Sequence, residues 1–444
     1  MTKYSKLTLA AAAIAATMAG SSTALAQSAD ALIDKLVDKG ILTVKEANDL
    51  REETDKGFTT AYSVKSGMPE WVTALKFNGD FRGRYESFNF DADTTARNRF
   101  RYRARLGFTA TIKDQFEVGF RLTSDEAASG VNGGDPLSGN TTFGDNAAKK
   151  LVYIDLAYGK WSPLSTAEWT GTITAGKMEN PFLFPSTMMF DRDYTAEGAA
   201  LELSFRPNAE HSVKLTGGGF MLDERNGNSD NPYMGGAQLR WDALWNKHFS
   251  SSLGVSMWGI ASGEGANLAN GQVPNQNSGN TRNAAGELVN DYTPVQADAS
   301  VTYTMDKFPM YPTAFPITVF GEYIQNTAIS DRNIGYAAGV TFGKSGKKGT
   351  WDLGYQYRNL EGDAWFEELS ESDFGANYLA APVGGTAGYR SGTNVRGHII
   401  KAQYSPYDCF TLGVTYWLTD LIDENPAGSK SGSGRLQLDA VLKF

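Results

Sequence analysis

The last ten residues, 435–444, read Arg-Leu-Gln-Leu-Asp-Ala-Val-Leu-Lys-Phe. Apolar side chains take every second position, namely Leu436, Leu438, Ala440, Leu442 and Phe444. Successive side chains of an extended strand point to opposite faces, so this alternation predicts a β-strand with one apolar and one polar face. The chain ends on an aromatic residue of the apolar face.

The same period of two begins near residue 75 and recurs to the end of the chain. In the first strand Leu75, Phe77, Phe81 and Tyr85 share one face, and charged residues such as Asp80 lie between them. A miscount of one hairpin would give fourteen or eighteen strands. We predict sixteen strands, near 75–86, 97–112, 116–124, 150–158, 168–177, 198–205, 211–222, 234–243, 251–262, 293–304, 315–327, 333–343, 350–360, 394–404, 408–418 and 434–444.

The connections between these strands alternate in length. The long ones are 125–149, 178–197, 263–292, 361–393 and 419–433. The short ones are 113–115, 206–210, 344–349 and 405–407, while 328–332, 159–167 and 305–314 break the rule. Long loops at one end and tight turns at the other are typical of a transmembrane barrel.

The N-terminus carries the features of an export signal. Lys3 and Lys6 precede the apolar stretch 7–19, and Ala24-Leu25-Ala26 is a cleavage site, so we expect a signal peptide over 1–26. The rest of the chain has no apolar run long enough for a membrane helix. An exported chain can still cross a membrane as a closed barrel, because the barrel satisfies its own backbone hydrogen bonds. We therefore predict an all-β, transmembrane antiparallel β-barrel of about sixteen strands over 71–444, in the bacterial outer membrane.

Residues 27–70 differ from the strands because apolar residues recur at helical spacing over 28–56. Gly40 interrupts the pattern, and Thr43 with Glu46 forms a capping box for a second helix. We predict a short helical periplasmic segment and linker. The alternative is a loosely ordered leader.

Composition narrows the function. The chain has 48 glycines, 20 tyrosines, 24 phenylalanines and 9 tryptophans, which suits short strands, tight turns and interfacial aromatic girdles. A net charge of −9 argues against a nucleic-acid partner. Cys409 is the only cysteine, and His211, His248 and His398 are far apart in sequence. No catalytic or metal-binding motif occurs, so we expect no enzyme activity, no cofactor and no metal site.

A row of arginines is the sequence feature that indicates function most directly. Seven arginines fall on the inward parity of the first three strands: Arg82, Arg84, Arg99, Arg101, Arg103, Arg105 and Arg121. Such a row in a pore favours anions, because arginine stays charged and binds carboxylate or phosphate oxygens. Alternatively, the arginines pair with Asp80, Glu86 and Glu117 and brace the wall. Acids elsewhere on the inward parity would then create a transverse field: Asp155, Glu202, Asp298, Glu322 and Asp439.

Two stretches carry a resemblance to known families. Gly-Lys-Met-Glu-Asn-Pro-Phe at 176–182 and Ser-Asp-Phe at 372–374, followed by Gly-Thr-Asn-Val-Arg-Gly-His at 392–398, resemble the family known as putative porins. The chain is more distantly similar to the phosphate-selective porins, and its final strand resembles the closing strand of outer-membrane barrels. The resemblance spans roughly 70–444. It implies a trimeric channel in outer-membrane lipid that passes small hydrophilic solutes or anions by passive diffusion.

The connection 178–197, which would be the third external loop, is rich in proline and aromatic residues. In sixteen-stranded general porins the third external loop folds inward, and by that resemblance Glu179, Asp191, Arg192 and Asp193 are candidate constriction residues. The alternative is an outer loop packed against a neighbouring subunit. Two other functions stay open: an adhesive or structural barrel with a blocked lumen, and a barrel enzyme with a catalytic cluster around His248 or His398.

Overall fold

The computed structural model describes residues 69–90, 96–126, 133–144, 146–224, 231–261, 278–283, 287–375, 392–423 and 431–444. The predicted signal peptide and almost all of the predicted helical segment lie outside these residues. In the part that is described, no helix is long and apolar enough to cross a membrane.

Seventeen strands lie in the described residues: β1 Val72–Phe90, β2 Arg97–Ile112, β3 Phe116–Asp125, β4 Thr141–Thr142, β5 Leu151–Ser165, β6 Trp169–Glu179, β7 Thr195–Phe205, β8 His211–Met221, β9 Tyr233–Leu244, β10 Phe249–Ala261, β11 Pro294–Met305, β12 Phe315–Asn326, β13 Ile334–Gly343, β14 Trp351–Leu360, β15 Val395–Tyr407, β16 Phe410–Leu421 and β17 Ser433–Lys443. Sixteen of them form the wall. The seventeenth, β4, has two residues, lies between β3 and β5 in sequence, and pairs with β2.

The wall is a closed antiparallel sheet. Each long strand pairs with the next long strand in sequence, and β17 returns to pair with β1, with Arg84 opposite Asp439. The final residue extends this closure, because Gly79 and Phe444 exchange backbone hydrogen bonds of 3.0 and 3.1 Å. The prediction of a sixteen-stranded antiparallel barrel is confirmed.

The two faces of the strands differ as their alternation predicts. On β1, Phe77 is 67% exposed and Phe81 45%, whereas Asp80 is 8% and Glu86 0% exposed. The apolar residues therefore lie outside, where lipid would cover them, and the charged residues lie inside. A slip of one residue would exchange the faces of a whole strand, so this pattern strongly specifies the register.

Two of the predicted connections are mostly or wholly strand. The predicted turn 405–407 belongs to β15, which continues to Tyr407 and leaves 408–409 as the turn. The predicted connection 159–167 is mostly strand, because β5 continues to Ser165 and leaves only 166–168 as the turn. Pro163 lies where the β5–β6 register shifts, between Trp161 and Leu164. Proline cannot donate to the ladder, and a bulge is one of the few places where a strand tolerates it.

The chain divides into two compact units. The larger comprises Lys76–Ala110 and Asp114–Phe444 and contains the strands described above, apart from residues 72–75 of β1 and 111–112 of β2. The smaller comprises Met1–Leu75 and Thr111–Lys113. In its described part the Thr73 hydroxyl donates a hydrogen bond of 3.3 Å to the carbonyl of Thr111.

Candidate functional site

The seven predicted arginines lie together on the inner face of β1, β2 and β3, and an eighth joins them from β17. That residue, Arg435, donates from Nη2 to Glu86 at 2.7 Å. The sequence places Arg435 on the polar face of the last strand, but it is absent from the predicted pore-lining set. We call the eight residues the arginine wall: Arg82, Arg84, Arg99, Arg101, Arg103, Arg105, Arg121 and Arg435.

Carboxylates are interleaved with the arginine wall. Glu86 is fully buried and accepts hydrogen bonds from Arg99 and Arg435. Arg84 donates two hydrogen bonds to the Asp439 carboxylate, from Nε at 2.7 Å and from Nη2 at 2.8 Å. The other close pairs are Arg103 and Arg105 with Asp80 at 3.0 and 2.5 Å, Arg103 with Asp193 at 2.6 Å, Arg121 with Asp155 and Glu179 at 2.5 and 2.6 Å, and Arg435 with Asp373 at 2.6 Å.

The wall is close to neutral as a whole. Its eight arginines contact seven carboxylates: Asp80, Glu86, Asp155, Glu179, Asp193, Asp373 and Asp439. Burying unpaired charge is costly, so a dense row of arginines needs this compensation. The geometry corresponds to the alternative of a braced wall for Asp80 and Glu86. The third expected partner, Glu117, instead accepts a hydrogen bond of 2.8 Å from the Tyr158 hydroxyl.

The other inward acids that the sequence singles out are also held by partners. Asp298 forms an ion pair with Arg240 at 3.0 Å, and Glu322 accepts a hydrogen bond from the Ser186 hydroxyl at 2.5 Å. Glu202 pairs with Lys214. Where the partner is a cation, as for Asp298 and Glu202, the two charges compensate each other locally.

The connection 180–194, which we call the inward loop, crosses the lumen. Its Leu183 backbone N–H donates to Gln238 on β9 at 3.0 Å, and Ser186 reaches Glu322 on β12. At its other end Asp193 binds Arg103 on β2. The loop therefore contacts strands on well-separated sides of the barrel. This placement is the one expected of a constriction loop, in contrast to the alternative of a loop packed outside.

The inward loop begins after a special backbone position. Gly176 has φ = 118°, a conformation that side chains other than glycine rarely adopt. A Cβ atom there would lie 2.4 Å from the carbonyl oxygen of Ala157 on the neighbouring strand. Backbone conformation and close packing therefore both require glycine at the first position of the Gly-Lys-Met-Glu-Asn-Pro-Phe stretch.

A water-excluded apolar core fixes the inward loop. Phe182 packs edge-on against Trp258 of β10 with ring centroids 4.4 Å apart, and Phe190 packs against Trp365 at 5.2 Å. Trp365 is fully buried and donates from its indole nitrogen to the Met189 carbonyl at 2.5 Å. Since these contacts lie inside the barrel, part of the lumen is filled by a folded core.

Trp365 belongs to a second segment that enters the lumen, residues 361–375 in the β14–β15 connection. Glu367 of this segment is buried against Arg282, and its Oε2 accepts from the backbone N–H groups of Ser278 and Asn280 at 2.9 and 2.7 Å. Of this segment, the sequence contributes only Ser-Asp-Phe at 372–374 to the family resemblance. The sequence feature that indicates its burial is the pair Trp365-Phe366 within an acid-rich connection, because exposed aromatic side chains would be unfavourable there.

The four predicted constriction residues have different surroundings. Glu179 and Asp193 bind the arginine wall. Asp191 points into the 361–375 segment, where its Oδ2 accepts from the Ser372 backbone N–H at 2.9 Å. Arg192 is exposed between them. The structure thus brings all four to the lumen, while their roles as pore-lining and constriction residues, like those of the arginines, stay predictions.

The pKa values of the two loop aspartates are shifted in opposite directions. Burial raises the pKa of the Asp191 carboxyl well above its usual range, and the charges of Asp193 and Asp373 raise it further. Burial also disfavours the charged form of Asp193. Nearby arginines, led by Arg103, outweigh that effect and hold the pKa of Asp193 below its usual range. Asp193 therefore serves as an anion toward the wall, whereas the surroundings of Asp191 favour its protonated form.

An open cavity of about 730 Å³ lies between the inward loop and the charged wall. Its lining combines charged groups with neutral polar ones. It includes Arg82, Arg84, Arg103, Arg105, Arg192, Asp352, Gln356, Lys401, Gln403 and Asp439. A cavity with this lining can hold water and polar solutes.

The closed sixteen-stranded wall, the apolar outer face and the charged lumen crossed by a loop define an outer-membrane, porin-like barrel. The model of a family described as "Putative porin" matches residues 90–285. This stretch includes the Gly-Lys-Met-Glu-Asn-Pro-Phe motif and stops before the second motif at 372–398. Porins are channels, so the match supports the prediction that the protein is not an enzyme.

Solved porin structures are similar to the chain at low sequence identity. The high-pH structure of Pseudomonas putida OprB is 10% identical and covers 88% of this chain and 97% of its own, with a TM-score of 0.49. Salmonella typhi OmpF in complex with daunomycin is 11% identical and covers 84% and 98%, with a TM-score of 0.47. Pseudomonas aeruginosa OccD3 (OpdP) is 11% identical and covers 84% and 92%, with a TM-score of 0.40. No curated protein sequence matches the chain.

Proposed function

We propose that this barrel is a passive diffusion channel for small hydrophilic solutes, with a modest preference for anions. The observation that carries the proposal is the inward loop, which crosses the lumen yet leaves the 730 Å³ cavity beside the charged wall. A barrel that only anchors or adheres has no need of a passage lined by charged and amide side chains. Solutes would cross down their concentration gradients in contact with water and polar groups.

The charge of the lining supports a modest rather than a strong preference. The arginine wall exceeds its seven carboxylates by one charge, and exposed charges are screened over about 8–10 Å at ordinary salt. We therefore expect chloride to be favoured over potassium by only a few-fold. Phosphate selectivity, suggested by the distant resemblance, would require more uncompensated positive charge than the arginine wall itself provides.

Planar-bilayer recording tests both parts of the proposal. The purified protein should give steady, stepwise conductance, and its reversal potential across a KCl gradient should show chloride preference. Well-folded protein without conductance would refute the channel. Cation preference would retain the channel and refute the anion bias.

We also propose that the functional unit is a homotrimer, as the family resemblance implies. Native mass spectrometry of the detergent-purified barrel should give three times the mass of the mature chain. A monomeric mass under conditions that preserve conductance would contradict the trimer and leave the channel intact.

A further inference from the structure

Two lumenal cations differ from the arginine wall because they have no carboxylate partner. Among the described residues, neither Arg192 nor Lys401 forms an ion pair or a side-chain hydrogen bond, although both line the 730 Å³ cavity. Arg192 is held at the edge of the inward loop because its neighbours Asp191 and Asp193 are anchored on either side. Lys401 lies on β15 and lines the same cavity.

These two cations lie close enough to repel each other. Both line the same cavity, and the positive charge of Arg192 acts unfavourably on the partly buried Lys401 ammonium, while three carboxylates act favourably on it. Those carboxylates are Asp352, Glu371 and Asp439. Glu371 is already bound by Arg358 at 2.8 Å and Asp439 by Arg84, while Asp352 accepts from the Ser345 backbone N–H at 3.0 Å.

Hydrogen-bond donors are also in excess on this side of the cavity. Gln356 lies on β14 opposite Ile399, two residues from Lys401, and its Nε2 has no acceptor in the described structure. Gln403 of β15 lines the same opening. An anion between Arg192 and Lys401 would supply the missing acceptors and relieve the repulsion between two like charges.

We infer that Arg192 and Lys401 form a binding subsite for small oxyanions, and that this subsite, instead of the compensated arginine wall, sets anion preference. The inference rests on the proposed channel function and deepens it. A guanidinium offers two parallel donors to a sulfate, phosphate or carboxylate group, and an ammonium adds a compact charge. The subsite is open to the lumen, so the bound oxyanion exchanges with solution.

Equilibrium dialysis with radiolabelled sulfate tests the subsite without depending on conductance. Sulfate is a suitable probe because it stays dianionic near neutral pH. The full mature chain in neutral detergent should bind sulfate, and Arg192→Gln and Lys401→Gln should each weaken binding by about tenfold or more, the usual cost of losing a charge-assisted hydrogen bond. Arg192→Lys, which keeps the charge, should retain part of the affinity.

Lys348→Gln is the matched control, since it removes one positive charge from an exposed turn between β13 and β14. Its sulfate affinity should equal that of the wild type. Equal affinity in the wild type, Arg192→Gln and Lys401→Gln would overturn the inference, as would the absence of sulfate binding by the wild type. Heat-modifiable migration on gels confirms that each variant has a folded barrel.

Reversal potentials separate this inference from the proposed function. Arg192→Gln and Lys401→Gln should move the reversal potential toward potassium, while the charge-balanced pair Glu202→Gln with Lys214→Gln should leave it unchanged. A protein that conducts but does not bind sulfate refutes the subsite alone. A protein that binds sulfate through Arg192 and Lys401 but does not conduct refutes the channel alone.

Discussion

Replacing Trp365 by alanine should release the inward loop while leaving the barrel wall intact. Trp365 lies outside the strands, is fully buried, and contacts Phe190 and Trp258 with ring centroids 5.2 and 5.5 Å away. Its indole also holds the Met189 carbonyl. No strand-to-strand hydrogen bond depends on its side chain, so the substitution acts on the docking of the loop.

The size of the effect follows from the burial of the indole. Truncating a fully buried tryptophan costs about 3–5 kcal/mol, and leaving the Met189 carbonyl without its donor adds about 1–3 kcal/mol. Each 1.4 kcal/mol is a factor of ten in an equilibrium constant. The lower bound of the truncation cost alone, about 3 kcal/mol, should reduce the ratio of docked to undocked loop by about a hundredfold.

Single-channel recording measures the consequence. A loop that leaves its docked position should widen the passage, so Trp365→Ala should show larger and noisier conductance steps than the wild type. Trp245→Ala is the control: Trp245 is 57% exposed at the β9–β10 turn, and its loss removes the same indole from outside the lumen. Wild-type conductance and noise in folded Trp365→Ala would refute the conclusion that this core fixes the loop.

Three further predictions concern Gly176, Glu86 and Asp191. Gly176→Ala should destabilise the barrel by about 1–3 kcal/mol, because alanine rarely adopts φ = 118°, and urea unfolding of vesicle-inserted protein measures the change. Glu86→Gln should cost about 3–5 kcal/mol in the same assay by leaving buried arginines undercompensated, whereas Glu202→Gln, in a partly exposed pair, should cost below about 1 kcal/mol. Because docking raises the pKa of Asp191 above 3.8, loop docking should be strongest below that pH and weaken as the pH rises through the folded-state pKa. Conductance noise should therefore rise with pH in the wild type and stay level in Asp191→Asn.

The strands could be predicted because each carries its own signal. Alternation such as Phe77-Asn78-Gly79-Asp80-Phe81 fixes both the element and its faces, and neighbouring strands are joined by short turns. The predicted connection 159–167 is wrong because β5 continues to Ser165, with Pro163 at a bulge of the strand. A local pattern cannot distinguish a proline at a bulge from a proline in a turn.

The pairing of the lumenal charges could not be predicted from the same pattern. Parity places Arg105 and Asp80 on the inside, but their contact at 2.5 Å depends on the stagger between β1 and β2. Partners such as Arg435 with Glu86 and Arg103 with Asp193 join residues that are far apart in sequence. Only closure of the ring and docking of the inward loop bring them together.

Apolar residues on the inward parity explain why the lumen has two unlike halves. Phe220, Met234, Trp258 and Ile324 point inward from β8, β9, β10 and β12 and are nearly or fully buried. Such side chains would be unfavourable against water, so these strands require a cover, which the inward loop and the 361–375 segment provide. The strands β1 to β3 and β17 carry charge at the equivalent inward positions, and the same two segments meet them with carboxylates, Asp193 binding Arg103 and Asp373 binding Arg435. In the proposed channel a solute would cross the cavity that the arginine wall and the loop edge at Arg192 both line, and the loop's position is set by the apolar half of the barrel.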